Sequence, residues 1–511
     1  MEEEVGEEKK DAPILNRDEN NQILPNKENN NKKDIDFQLV EINNKVRTTI
    51  YICLVLINTF SSCDGGIIPQ QNTNIKKDFG DENENTLVGF FGSVDYIGRV
   101  IGAIIFSFIL GKMNRKIILF LTLILKAITL FIAVPFGGSI INIIFRGISG
   151  ISQVFYTSYL PVWCDQYGKK KQRTLMVMFM QLGNPFGIII GYGIAMVCDM
   201  ITKNSNYHGW RVAFGFEGVI LVICAFIIFC FNKKYFSEKF VLIDDNIGKE
   251  EIKKEEEIDK KLINFKNILK ILCNKLFLFT TLSNSISFFG LGIVQYWGDQ
   301  YMEIILKIEG NLRFVIFAVL CLLGPILGMI FGGIVCSKLG GYNKKKAMIF
   351  VMIITAIASI ISSFITINDN MAVFIIFTLS YLFFICAPIS PESGIIISSL
   401  DNHLRGDGFA LSNSLLNLLG SFPSSYIFGA LSDLYESKLS KELVENNKHY
   451  VYAWFTCMAY NYVGVILIII AGCFRFKIKG DLSSNPEEEI ENIEGIDINS
   501  STTSKDLISD Q

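Results

Sequence analysis

Twelve stretches of about 20 or more residues, each with few or no charges, dominate this 511-residue chain. They fall near 46–69, 87–110, 117–135, 140–163, 174–200, 212–231, 276–301, 312–337, 346–367, 371–400, 409–434 and 451–474. Each is long enough to cross the hydrocarbon core of a bilayer as a helix. The chain is therefore predicted to be an all-α membrane protein with about twelve spans. A soluble chain carries about 25% charged residues. Here the share is 19%, and most of those charges sit in the tails, the loops and one central block.

The few charges inside the apolar runs carry the most information. An arginine at a bilayer centre costs about 2.5–3.5 kcal/mol unless it faces a polar interior. Arg146 opens the stretch FRGISGISQVFYTSYLPVWCDQYGKKKQRT, residues 145–174. Gly147 and Gly150 follow it and let a neighbouring helix come close. Then come Gln153, Tyr156, the helix breaker Pro161, Asp165, and a basic run ending at Arg173. Asp64 lies near the far end of the first segment, before Gly65-Gly66 and Pro69. Asp95 and Arg99 in the second are four residues apart, so they share a helix face and can pair. Arg146 either binds an anionic group or pairs with Asp64 or Asp95. Lys126 and Glu217 lie near enough to span ends to snorkel and are read as structural. Glu392 sits in a helix broken by Pro388 and Pro391, where irregular backbone is tolerated next to a cavity. Tyr296 and Trp297 are read as cavity or gate aromatics, and GNPFGIIIGYG in the fifth segment as a kinked, close-packing helix.

The organisation is two sixes. Residues 1–45 and 475–511 are polar and charged, and are read as disordered tails. A charged linker, 232–275, with a surface helix near 262–272, separates a six-helix bundle at 46–231 from a second at 276–474. Lys and Arg concentrate in loops 111–116, 164–173, 232–275 and 338–346, which places those loops and both termini in the cytoplasm. The loop GKMNRK (Gly111, Asn114, Arg115 and Lys116 among its residues) follows the second segment, and LGGYNKKK follows the eighth. Basic hinges at matching positions indicate a parallel internal repeat, and transporters bind substrate between such repeats near the midplane.

Other classes find little support. No basic patch is interleaved with aromatics, so nucleic acid is not an expected partner. The twelve cysteines include no C-x-x-C pair, and the three histidines, His208, His403 and His449, fall in loops. Neither a nucleophile motif nor metal-ligand spacing appears, so an enzyme, a metal and a cofactor are not expected. The polar opening carries no cleavable signal peptide.

The motifs resemble those of the major facilitator superfamily. Its loop after the second span reads G-x-x-x-D-R/K-x-G-R-K or G-D-R-x-N-R-K, and Gly111, Asn114, Arg115 and Lys116 match it without the acid. The closer resemblance is to the Spinster family of lipid transporters. Arg146, Gly147, Gly150, Tyr156, Pro161, Asp165, Arg173 and Thr174 match its fourth-span pattern. Pro185, Gly187, Gly191 and Tyr192 match the fifth span, and Trp210, Arg211, Ala213 and Phe214 the start of the sixth. Leu419, Gly420, Ser424, Tyr426, Gly429, Ser432 and Asp433 match the eleventh. Two departures stand out. The family's first-span Asp-Arg is Asp64-Gly65 here, and its fourth-span glutamate is Gln153. The resemblance makes those two acids the proton-coupling pair. Asp64 is then the retained coupling candidate, and Asp95 with Arg99 a substitute ion pair.

The resemblance implies a monomeric secondary transporter working by alternating access on an amphipathic lipid, such as a lysophospholipid or sphingoid phosphate, among membrane lipids. A carrier of a sugar or organic anion, and a non-transporting receptor or scaffold of the same fold, are the alternatives. Plasma-membrane and endolysosomal or vacuolar locations suit the sequence equally. The residues expected at the substrate or coupling site are Asp64, Asp95, Arg99, Arg146, Gln153, Tyr156, Trp297 and Glu392. Those expected at the hinges are Gly111, Asn114, Arg115, Lys116, Asp165 and Arg173.

Overall fold

The computed structural model describes residues 44–80, 84–109, 113–136, 138–167, 173–203, 208–236, 265–367, 370–401, 404–478, 480 and 482. The expected tails, apart from a few residues at their inner ends, and the middle of the linker lie outside the described residues. The described chain is helical, with no strand among its residues. Among the described residues, ten helices are long and apolar enough to cross a membrane. Ser139–Tyr167 and the pair Arg405–Leu416 and Phe422–Lys438 occupy the fourth and eleventh places.

The spans follow the apolar runs, but four of them are interrupted. The first is Asn44–Phe60 followed, after a turn, by Asp64–Gln70. The tenth is Met371–Cys386 and Ile389–Ser398, broken at Pro388, which has no N–H to continue the ladder. The twelfth is Lys448–Ala459 and Asn461–Lys477. The eleventh widens into a π-turn at Asn417–Ser421. The others are Asn85–Ile109, Arg115–Ala133, Arg173–Thr202, Gly209–Cys230, Lys275–Ile304, Gly310–Lys338 and Lys345–Ser362. The surface helix expected in the linker is Phe265–Cys273; its Ile271 packs with Phe277, Ile396, Leu400 and Leu404.

Packing repeats between the halves. In the first, span two packs on four, three on four and six, and one on five and six. In the second, eight packs on ten, nine on ten and twelve, and seven on eleven and twelve. Adding six to each number converts one set into the other, which is the geometric form of the repeat. The halves meet where span two packs on eleven, five on eight, and one on seven. Large apolar side chains such as Ile104, Ile140, Ile201, Phe229, Ile376 and Ile466 stay more than half exposed, as a lipid-facing belt requires.

The glycines set the closest approaches. A Cβ on Gly150 would meet the Asp95 carbonyl, and one on Gly98 the Gly147 carbonyl, both inside van der Waals distance. Spans two and four therefore touch backbone to backbone. Gly187 and Gly191 bring the fifth span against the Thr59 and Cys63 carbonyls of the first in the same way. Close packing, expected from the sequence, is the role these glycines play.

Candidate functional site

The break in the first span builds the centre of the site. In the turn 61–63 the Gly65 N–H bonds to Ser62 O, not to Ser61 O as a continuous α-helix would have it. The Ser61 carbonyl is left without its helical partner, and the buried ammonium of Lys126 on the third span donates to it. The same ammonium donates to Asp64 Oδ2 at 2.9 Å and to Gln153 Oε1 at 3.2 Å. Asp64 begins the second piece of the first span, and its Oδ1 takes the Gly65 N–H at 2.9 Å. Arg146 Nη1 donates to Asp64 Oδ2 as well. Glu217 Oε1, from the sixth span, lies 3.7 Å from the Lys126 nitrogen. Four spans thus converge on one buried set: an aspartate, a lysine, an arginine, a glutamine and a glutamate.

This corrects two readings. Lys126 and Glu217 do not snorkel: their side chains are wholly buried, and Lys126 is the hub of the cluster. Their distance from the span ends was the misleading signal, since the third and sixth spans pack closely along their lengths. Arg146 pairs with Asp64, one of the two roles open to it, and Asp95 pairs with Arg99 at 2.8 Å. The charges were expected to face a chamber between the bundles. Instead, Asp64, Lys126, Arg146 and Glu217 are held together by residues of the first six spans. A cavity of about 10 Å³ beside Arg146 is likewise lined by the first half, including Phe91, Thr129, Ser149 and Phe214. Tyr156 is fully buried, and Glu392 is buried with no hydrogen-bond partner for either oxygen among the described residues.

Three acids and three bases, Asp64, Asp95, Glu217, Lys126, Arg146 and Arg99, cancel when all are ionised. In a low-dielectric interior such a set is held together by its own pairing, and gain of one proton leaves it a net charge of +1.

The expected hinge residues serve their own half. Asn114 Oδ1 caps the third span, accepting the Lys116 N–H at 2.9 Å. Lys116 Nζ donates to the carbonyls of Phe229, at 2.7 Å, and Phe231, at the end of the sixth span. The Arg115 guanidinium lies 5.8 Å from the Tyr159 ring centroid. Gly111 lies outside the described residues, as do the side chains of Asp165 and Arg173.

A second polar group closes the seam between the halves, and most of it escaped the sequence reading. Asp433 of the eleventh span accepts the backbone N–H groups of Asn85 and Thr86 at 3.0 and 2.8 Å. Tyr450 donates to Asn85 Oδ1 at 2.7 Å and accepts from Gln300 at 3.0 Å. Asp299 takes the Tyr192 hydroxyl and pairs with Arg313 at 3.0 Å. Tyr296 donates to the Val88 carbonyl at 2.6 Å, and Trp297 to the Ser425 carbonyl at 3.1 Å while stacking on Phe428. Tyr296 therefore bonds across the seam; both Trp297 partners belong to its own half, and its ring edge lies 3.3 Å from where a Cβ on Gly89 of the second span would stand. Asp299 and Arg313 lie at the facing margins of the apolar runs 276–301 and 312–337, and their fourteen-residue separation gives no pairing signal. Of the Asp433 contacts, only the serine-aspartate motif was visible beforehand.

A family model for the Major Facilitator Superfamily matches residues 51–425. A probable sphingolipid transporter, spinster homolog 1, of Arabidopsis thaliana is 21% identical over 306 residues, covering 57% of this chain. The match spans only 60% of that relative's own length. The sphingosine-1-phosphate transporter SPNS2 of Xenopus tropicalis is 21% identical over 401 residues, covering 70% of this chain and 69% of that protein. Among solved structures, a bacterial homolog of the human lysosomal transporter Spinster, inward-facing and unoccupied, superposes with a TM-score of 0.67 at 13% identity. That superposition covers 85% of this chain and 97% of the other. With its helical repeat and the extent of the family match, the chain belongs to the Major Facilitator Superfamily.

Proposed function

We propose that the protein moves an amphipathic lipid with an anionic headgroup across a membrane by alternating access. The observation that carries this reading is the seam between the halves. It is closed at one end by side-chain hydrogen bonds, to Asp433 from Asn85 and Thr86, from Tyr450 to Asn85 and from Tyr192 to Asp299, that can break without unfolding a helix. The likeness to two sphingolipid-type transporters supports the lipid class. With the basic loops and both termini read as cytoplasmic, this closed end is the outward one.

Arg99 is the cation that meets the headgroup. Gly92 packs on Tyr296 at the seam, and Tyr96 and Arg99 continue the same helix face one and two turns on. The Arg99 side chain is 19% exposed, against 7% for Arg146, whose guanidinium is committed to Asp64. Asp95 holds Arg99 in place until a substrate arrives.

The test is uptake of labelled lysophospholipid, sphingoid phosphate and sugars by proteoliposomes containing the full chain. Lipid movement that Arg99→Ala lowers about ten- to a hundredfold, the scale of one lost charge-assisted hydrogen bond, is the expected result. Sugar movement without lipid movement would replace this reading with a solute carrier.

A further inference from the structure

Lys126 has three N–H donors and no more. They go to Ser61 O, Asp64 Oδ2 and Gln153 Oε1. Glu217 is close enough to feel the ammonium but receives no hydrogen bond from it. Both Glu217 oxygens are buried without a hydrogen-bond partner among the described residues, and its side chain has no exposure. An ionised carboxylate in that position would forgo its donors in a dry interior, which costs far more than the same omission by a neutral carboxyl.

We infer that Glu217 is protonated in this state and carries the exchangeable proton of the transport cycle. The inference rests on the alternating-access reading above for its role, though not for the proton itself. A proton enters from bulk water onto one Glu217 oxygen. It returns to water when Lys126 turns one donor from Gln153 to Glu217, stabilising the carboxylate. The amide at 153 suits this exchange, because it accepts from Lys126 with no charge of its own and can be released at little electrostatic cost.

The surroundings fit. The charged and titratable groups facing Glu217 are Asp64 and Cys63 from the first span, Asp95 from the second, Lys126 from the third and Arg146 from the fourth. On the fifth, Asp199 packs against Gly209, two turns from Glu217. The short helix Asn72–Phe79 brings Asp78 to His208, Trp210 and Arg211 at that same far end. The cavity beside Arg146 is lined by Phe214 and Thr129, one turn from Glu217 and Lys126 respectively. Arg146 Nε and Ser149 Oγ lie near it without partners among the described residues. Its volume of about 10 Å³ suits a single water, a relay between cluster and surface.

Infrared difference spectroscopy on the purified full chain in detergent tests this without any substrate. The expected result is a protonated-carboxyl C=O band at neutral pH that shifts in deuterium oxide and disappears in Glu217→Gln. It should persist in Glu392→Gln, which controls for the other buried, unpartnered acid. Glu217→Asp, which keeps the carboxyl if the glutamine variant folds poorly, should move the band and not erase it. A band unchanged in folded Glu217→Gln, or no such band in the native chain, would overturn the inference. Lipid transport without the band sinks this inference alone, and the band without lipid transport sinks only the transport reading.

Discussion

Asp433 caps a helix that belongs to the other half of the molecule: its two oxygens take the first two backbone N–H groups of the second span, at Asn85 and Thr86. A helix start has four such donors without internal partners, and a carboxylate there also complements the helix dipole. The cap holds only while the halves are together at this end, so it links helix stability to conformation. Asp433→Asn should cost about 1 kcal/mol of the closed state. The expected reading is a longer distance between spin labels at Lys77 and Lys441, two exposed positions at this end, in a background whose reactive cysteines are replaced. An unchanged distance distribution would mean that the cap does not hold the seam.

Two glycines of the fourth span separate packing from composition. Gly150 faces the Asp95 carbonyl inside contact distance, whereas a Cβ on Gly147 would find only Val94 at 3.8 Å. Gly150→Ala must push spans two and four apart and should destabilise by about 1–3 kcal/mol. Gly147→Ala should be tolerated. Comparison of detergent melting temperatures checks this, and equal losses would contradict the backbone contact.

The spans, their repeat and the small-residue contacts were legible because a bilayer imposes length and apolarity on every crossing segment. Asp64, Arg146, Asp95 and Arg99 were legible because a charge in such a segment needs a reason. Lys126 and Glu217 were misjudged because linear distance from a span end says nothing about which face of a helix meets a neighbour. The seam was hidden for another reason. Asp433 and Asn85 are 348 residues apart, so their pairing exists only once both halves are placed. The π-turn at Asn417–Ser421 was equally invisible; Gly420 there meets the Ser285 carbonyl, a tertiary contact with no local signature.

The Tyr192 hydroxyl and Arg313 share Asp299 across the contact of spans five, seven and eight. Arg313 also pairs with Glu303 at 3.0 Å. Arg313→Gln would leave a buried aspartate without its cation, a loss of about 3–5 kcal/mol. Tyr192→Phe keeps the stacking on Phe314 and Phe317 and loses one hydrogen bond to a charge, about 1.5–3 kcal/mol. Melting temperatures should therefore rank native, then Tyr192→Phe, then Arg313→Gln. The reverse order of the two variants would show that the hydroxyl, and not the guanidinium, sustains Asp299.

Lys126→Met keeps the apolar stem and deletes the ammonium. Ser61 O and Gln153 Oε1 then lose a donor, and Asp64 keeps Arg146 and the Gly65 N–H but loses its second cation. Breaking a buried pair from one side costs about 3–5 kcal/mol, so a large fall in melting temperature is expected. The response of a second change is more informative. If Glu217 is neutral, losing Lys126 strands no charge there, so Glu217→Gln should not restore stability and the two losses should come close to adding, because no hydrogen bond joins the pair. If Glu217 is ionised, the lysine's loss leaves it an uncompensated anion, and Glu217→Gln should rescue much of the damage. Asp64→Asn offers the contrast. In the lysine-free chain it removes the acid that still holds Arg146, so it should worsen stability. Melting curves of the three single and two double variants decide between these cases, since rescue by the glutamine at 217 and additivity at that position cannot both be observed.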